Sequence, residues 1–109
     1  MNQLKTKKMK DYFELECAVE QWAEEKEIFE KATPMAQSLK TLEECTELCT
    51  AINNDNKPEI IDAIGDIMVT LIIQAKMQNI SLELCLESAY NVINKRTGKM
   101  INGQFVKDK

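Results

Sequence analysis

Apolar positions along the chain recur with a helical period and only a few breaks. Between about Tyr12 and Glu27, Phe13, Cys17 and Trp22 keep a loose helical spacing, with Ile28 and Phe29 in or near the end of this first predicted helix. Thr33-Pro34 is a start signal, Thr as cap and Pro at the first helical position, so a second helix is expected to run to about Asn53. Asn53-Asn54-Asp55-Asn56 reads as a turn, and from Pro58 a third helix should run to about Gln78. Asn79 can end it, and Ser81, with Glu83 in the next turn, can start a fourth helix reaching about Lys95. Near the end, Asn102-Gly103 lies between short apolar-containing flanks, the pattern of a two-residue hairpin turn. A hairpin or ordered arm and a flexible tail both fit that segment.

These elements predict an all-α, four-helix-bundle-like domain with a short C-terminal hairpin or arm. One domain is expected over 1–109, with a frayed terminus over about 1–10 and the arm over about 97–109. A chain of 109 residues buries only about 60–70% of its unfolded surface, which makes coverage by a partner chain plausible.

The third helix is the unusual one. From Ile60 to Ile73 it is apolar nearly all round, which predicts a central, buried position. Its only charged residues there, Asp62 and Asp66, are four apart and so share a face. The next basic residue along the helix is Lys76, more than two turns beyond Asp66, so local pairing does not neutralise them. Burying unpaired carboxylates is costly, and a bound cation removes the cost. Gly65 lacks a side chain and would let a helix or ligand come close. On the second helix, Glu44 and Glu47 are three apart and share a face, while Glu43 points roughly 100° away from Glu44. If these two helices pack antiparallel, Glu44 and Glu47 face Asp62 and Asp66. Four oxygen donors without nitrogen or sulfur suit a hard cation, Mg2+ or Mn2+, held together with substrate phosphates. An acidic helix face on its own is commonly just solvated; the combination is what suggests a site.

Composition narrows the alternatives. The net charge of −4 gives no support for a nucleic-acid-binding surface, and the basic start, Lys5 to Lys10, reads as a solvated terminus. No apolar run approaches the roughly 18 residues of a membrane span, and none follows the basic start as in a signal peptide, so a cytoplasmic location is expected. Cys17, Cys45, Cys49 and Cys85 lie within predicted helices and read as small core residues rather than as disulfides. The chain has no His, which argues against a di-iron bundle built on Glu-x-x-His pairs.

Glu43-Glu44-x-x-Glu47, Asp62-Ala63-Ile64-Gly65-Asp66, Gln21-Trp22, Thr33-Pro34-x-x-Gln37-x-x-Lys40, Ala89-Tyr90-Asn91 and Arg96-x-Gly98-Lys99-Met100, in this order, resemble the MazG-like all-α nucleoside triphosphate pyrophosphohydrolases. The similarity is to the small stand-alone bacterial and phage type, and it covers most of the chain. Where the family pattern has Glu three residues before the Asp, this chain has Ala63, with Asp62 one position earlier. The resemblance implies a homodimer or dimer of dimers that cleaves a nucleoside triphosphate to monophosphate and pyrophosphate. It further implies that Glu44, Glu47, Asp66 and Asp62 hold Mg2+, and that Glu43 or Glu47 positions or deprotonates the attacking water. Lys40 is either a phosphate contact or a solvated lysine. Lys95, Arg96 and Lys99 contact phosphates or complement a helix C-terminus, Trp22 stacks on the base or belongs to the core, and Asn91 reads the base or contacts the sugar. Ala63 keeps open an alternative: a catalytically weak or inactive module that binds nucleotide or protein.

Overall fold

In a computed structural model, which describes residues 9–109, the chain forms five helices and one hairpin. The helices are α1 (Tyr12–Glu25), α2 (Ile28–Lys31), α3 (Pro34–Asn53), α4 (Lys57–Met77) and α5 (Leu82–Ile93); the strands are β1 (Gly98–Ile101) and β2 (Gln104–Lys107). The four long helices are those the periodicity predicts. The basic segment Lys5 to Lys10 lies largely outside the described residues. Among the described residues no helix is long and apolar enough to cross a membrane.

Short polar side chains start each long helix. Asp11 Oδ1 accepts the Glu14 amide hydrogen bond at 2.8 Å while Glu14 Oε1 accepts from the Asp11 amide at 2.9 Å, a reciprocal capping box. Thr33, Asn56 and Ser81 accept in the same way from the amides of Ala36, Glu59 and Leu84. Such caps are worth about 1 kcal/mol each. Between α1 and α2 the chain turns at Glu27, whose φ of 63° is left-handed and breaks the helix that the periodicity would carry to this point. Asp55 (φ 50°) and Asn79 (φ 61°) make the same local reversal after α3 and α4. These residue types enter that region more readily than most.

α3 and α4 are consecutive, joined by residues 54–56, and pack antiparallel. Gln74 Nε2 donates to the Pro34 carbonyl at 2.9 Å. The Thr41 hydroxyl donates to Thr70 Oγ1 at 2.8 Å, which in turn donates to the Ile67 carbonyl at 2.7 Å. The core is built mostly from small residues: Ala23, Ala51, Ala63 and Ala75 are buried together with Ile72 and Ile73. α1 packs across α4 on another side, and α5 makes a lighter contact with α4.

The hairpin expected at Asn102-Gly103 is present. Both residues have positive φ, 50° and 82°, as a type I′ turn requires, and Ile101 pairs with Gln104 while Gly98 pairs with Lys107. Gly98 is required by space: a side chain there would run into the Val106 carbonyl and lie within 2.7 Å of Phe105 Cζ.

Three expectations are corrected. α4 is not buried all round: Ile61 is 64% exposed, Ile64, Met68 and Leu71 are also exposed, and so are Asp62 and Asp66, because α3 and α1 cover only part of its circumference; the expected burial cost of these two carboxylates is therefore absent. Cys17, Cys45 and Cys49 are exposed and Cys85 is half-buried, so they do not form the core within this chain. Gly65 receives no close neighbour either, since an added Cβ would meet nothing within 4 Å. The radius of gyration is 17.2 Å, against about 13 Å for a compact chain of this length.

Ile73, 2% exposed, is the largest fully buried side chain. Ile73→Ala is expected to cost about 2–5 kcal/mol, read as a lower denaturant midpoint with an unchanged slope.

Candidate active site

The α3–α4 register carries the acidic residues toward one another. With Pro34 level with Gln74 and Thr41 with Thr70, continuing along both helices brings Glu44 level with Asp66 and Ile67, and Glu47 beside Ala63. There the helices border an open cleft of about 380 Å3, lined by Thr46, Glu47 and Thr50 from α3 and by Glu59, Asp62, Ala63 and Asp66 from α4. Three of the expected cation ligands, Glu47, Asp62 and Asp66, therefore share one space.

Glu44, the fourth expected ligand, does not line the cleft. It is only 7% exposed, Oε2 is 3.4 Å from Lys40 Nζ, and buried Oε1 has no hydrogen-bond partner. A buried polar atom without a partner costs about 1–3 kcal/mol, more when charged. Its charge is the first cause holding the Glu47 carboxyl above the usual carboxylate value; partial desolvation and the Glu43 charge add to this, and Lys40 opposes it. Glu43 itself is exposed, lies 3.5 Å from Lys40 Nζ and does not line the cleft. Lys40 is held above its ordinary value, first by the Glu43 charge and then by its hydrogen bond to Glu44. These ion pairs are long and half exposed on the lysine side, so solvent screens them strongly.

The cleft suits a divalent cation by its donors. Four of its seven lining residues are carboxylates and none is basic. The Thr46 and Thr50 hydroxyls donate back to the Leu42 and Thr46 carbonyls at 3.2 Å, so toward the cleft they can offer only lone pairs. Among the described residues no three acidic, His or Cys side chains close into a ready-made cage. Facing carboxylates repel, and Mg2+ normally binds through one or two carboxylates plus water and phosphate oxygens. The residues present thus fit such an ion.

Trp22, 46% exposed, lines an apolar groove with Leu15, Ala18, Val19 and Val69, and Asp66 borders both groove and cleft. Asn91 near the end of α5, Lys95 and Arg96 after it, and Lys99 on β1 are exposed and line neither space. Within one chain they are not brought to the acids. Thr46, Thr50 and Glu59 are lining residues that sequence reasoning does not single out; the spacing of Glu59, Asp62 and Asp66, three and four apart, was the available signal for the last.

Residues 32–102 match the family described as the MazG nucleotide pyrophosphohydrolase domain. A protein of Haemophilus phage HP1, described as an uncharacterized 18.2 kDa protein in the rep-hol intergenic region, is 42% identical over 73 residues, 66% of this chain and 44% of that protein. A phosphoribosyl-ATP pyrophosphatase of Bacillus cytotoxicus is 38% identical over 58 residues, 53% of this chain and 50% of that enzyme. The matches span about half the length of these curated relatives. No solved structure matches.

The raised Glu47 pKa has a definite sign. Relative to an ordinary carboxyl it favours the fold at low pH, and that contribution is lost as pH rises through the folded value. Without divalent cations, wild type should lose melting temperature relative to Glu47→Gln between pH 4.5, the ordinary value, and neutrality. Parallel melting curves for the two proteins across that range would contradict it.

Proposed function

The chain belongs to the MazG nucleotide pyrophosphohydrolase family, and from that premise we propose that it hydrolyses a nucleoside or deoxynucleoside triphosphate to monophosphate and pyrophosphate with Mg2+, Mn2+ being an alternative. The observation that carries this reading is the two-helix carboxylate cleft that brings Glu47 of α3 together with Asp62 and Asp66 of α4. Glu44, Glu47, Asp62 and Asp66 are the residues that would hold the cation. When bound, it would neutralise phosphate oxygens and assist activation of the attacking water.

The chain's own groups divide the remaining work. Glu47, which lines the cleft, positions or accepts the proton of the attacking water. Glu43, outside the cleft, acts by holding Lys40 in place. Lys40, 3.4 Å from Glu44 Oε2, would be available to a phosphate if Glu44 held a cation instead. Trp22 stacks on the base in its apolar groove, and Asp66, common to groove and cleft, fixes the spacing between base and phosphates. The physiological task in this reading is control or cleaning of a nucleotide pool in the cytoplasm.

The same reading makes the protein a homodimer or dimer of dimers. Leu42, Ile52, Ile61, Leu86, Tyr90 and Met100 are large apolar residues left exposed by this chain. A second copy would cover it and supplies a route by which Asn91, Lys95, Arg96 and Lys99 reach a neighbouring cleft. The catalytically weak binding module remains the second reading, favoured by Ala63, whose methyl occupies the cleft wall without a donor.

Incubation with Mg2+ and a panel of nucleoside triphosphates, with phosphoribosyl-ATP included, should release pyrophosphate rather than orthophosphate. Glu47→Gln is expected to lower kcat on the order of 10²–10⁴-fold. Glu44→Ala and Asp66→Ala, verified as folded, should abolish turnover. No pyrophosphate from any substrate with either metal would favour the binding module. Light scattering should give a mass two or four times the 12.5 kDa chain; a monomer at micromolar concentration would refute the oligomer.

A further inference from the structure

We propose that the C-terminal hairpin is an exchanged arm, which docks an apolar face on the acidic helical body of a second copy of this chain; this rests on the homo-oligomer of the proposed function. Among the described residues the two strands contact each other and neither packs substantially on a helix. Their register places Met100 opposite Phe105 on one face, and Lys99 opposite Val106, beside Ile101, on the other. Met100 and Phe105 are 64% and 52% exposed, and Ile101 and Val106 are exposed as well. A two-stranded hairpin alone in water is marginal at best and needs a further surface against one face. This one is nonetheless preformed. Asn102 and Gly103 supply the type I′ turn, the Thr97 hydroxyl donates to Asp108 Oδ2 at 2.8 Å, and the Asp108 amide donates to the Thr97 carbonyl at 2.9 Å. Little ordering remains to be done when such an arm binds.

Charge identifies the occupant. Residues 95–109 carry five basic side chains and one acidic one, a net charge of +4. Residues 11–94, the helical body, carry five basic and seventeen acidic ones, a net charge of −12. The single acid of the arm, Asp108, is the one that accepts from Thr97 at the base of the hairpin. A nucleic acid or an anionic membrane would attract the arm, but the body would repel it. A second copy offers the arm opposite charge together with exposed apolar residues of its own, Leu42, Ile61 and Leu86 among them. The arm's own helices are equally acidic, yet the strands do not pack on them, so the cover comes from another molecule. Two copies related by a two-fold axis exchange their arms reciprocally.

The test is sedimentation of the full chain over a concentration series. Met100→Thr combined with Phe105→Thr removes the apolar face while keeping strand-forming side chains. The amide signals of Gly98 and Gly103 report whether the hairpin persists in that variant. The double variant should raise the dissociation constant of the oligomer at least about tenfold, the loss of one buried apolar anchor. Lys107→Glu leaves the apolar face intact and reverses one charge of the arm, and it should weaken association too. Wild-type association should also weaken as salt rises from about 0.05 to 0.5 M, since screening acts on the charge attraction. Unchanged association of the double variant overturns the arm and leaves the oligomer standing, as does wild-type association indifferent to both salt and Lys107→Glu. A wild type that stays monomeric overturns oligomer and arm together, and capture of that monomer by heparin, lost in the double variant, would assign the arm to a polyanion instead.

Discussion

The Thr41–Thr70 hydroxyl contact, with Gln74 on the Pro34 carbonyl, locks α3 against α4 in one register, and the rest of the molecule follows from that lock. Small residues at Ala51 and Ala63 let the helices approach closely beyond it. The connection through residues 54–56 leaves little slack for sliding. Once the register is fixed, Glu44 and Glu47 must lie across from Asp66 and Asp62. The packing therefore brings acids of both helices to one cleft, while the raised Glu47 pKa has its causes within α3, the Glu44 charge first, then partial desolvation and the Glu43 charge. Lys40 relieves it only partly, from outside, through two long contacts.

Openness on the outer face is the other side of the same arrangement. α4 is apolar on more of its circumference than α1 and α3 cover, and the hairpin is built on a crowded Gly98 without adding to that cover. An extended chain with a small alanine-rich core has limited hydrophobic stabilisation of its own. Coverage by a second copy would add stabilisation and shape the surroundings of the cleft together, which ties assembly to chemistry in the proposed reading.

Much of the architecture was legible because its signals are local. Thr33-Pro34, Ser81 and Asn102-Gly103 act through their own backbone neighbours, and they mark element boundaries with little help from the rest of the fold. The pairing of Glu47 with Asp62 and Asp66 was legible for a related reason: helical spacing and a short connection determine which faces meet. Exposure was not legible. Periodicity shows that Ile61, Ile64 and the cysteines sit in apolar surroundings along the chain, but it does not say which neighbour covers them. Glu59 reads as a routine helix-starting acid, although its spacing from Asp62 and Asp66 already put it on their face of α4. The short α2 arises from a left-handed Glu27, a conformation no side chain there advertises.

Trp22 is the chain's one tryptophan, and it sits half-exposed in the groove that shares Asp66 with the acidic cleft. Nearly all indole emission of the protein therefore originates at the edge of the candidate site. An aromatic ring laid against it quenches that emission, and a shift of Asp66 alters the field it experiences. The molecule carries its own optical reporter, with no competing indole elsewhere to dilute the signal.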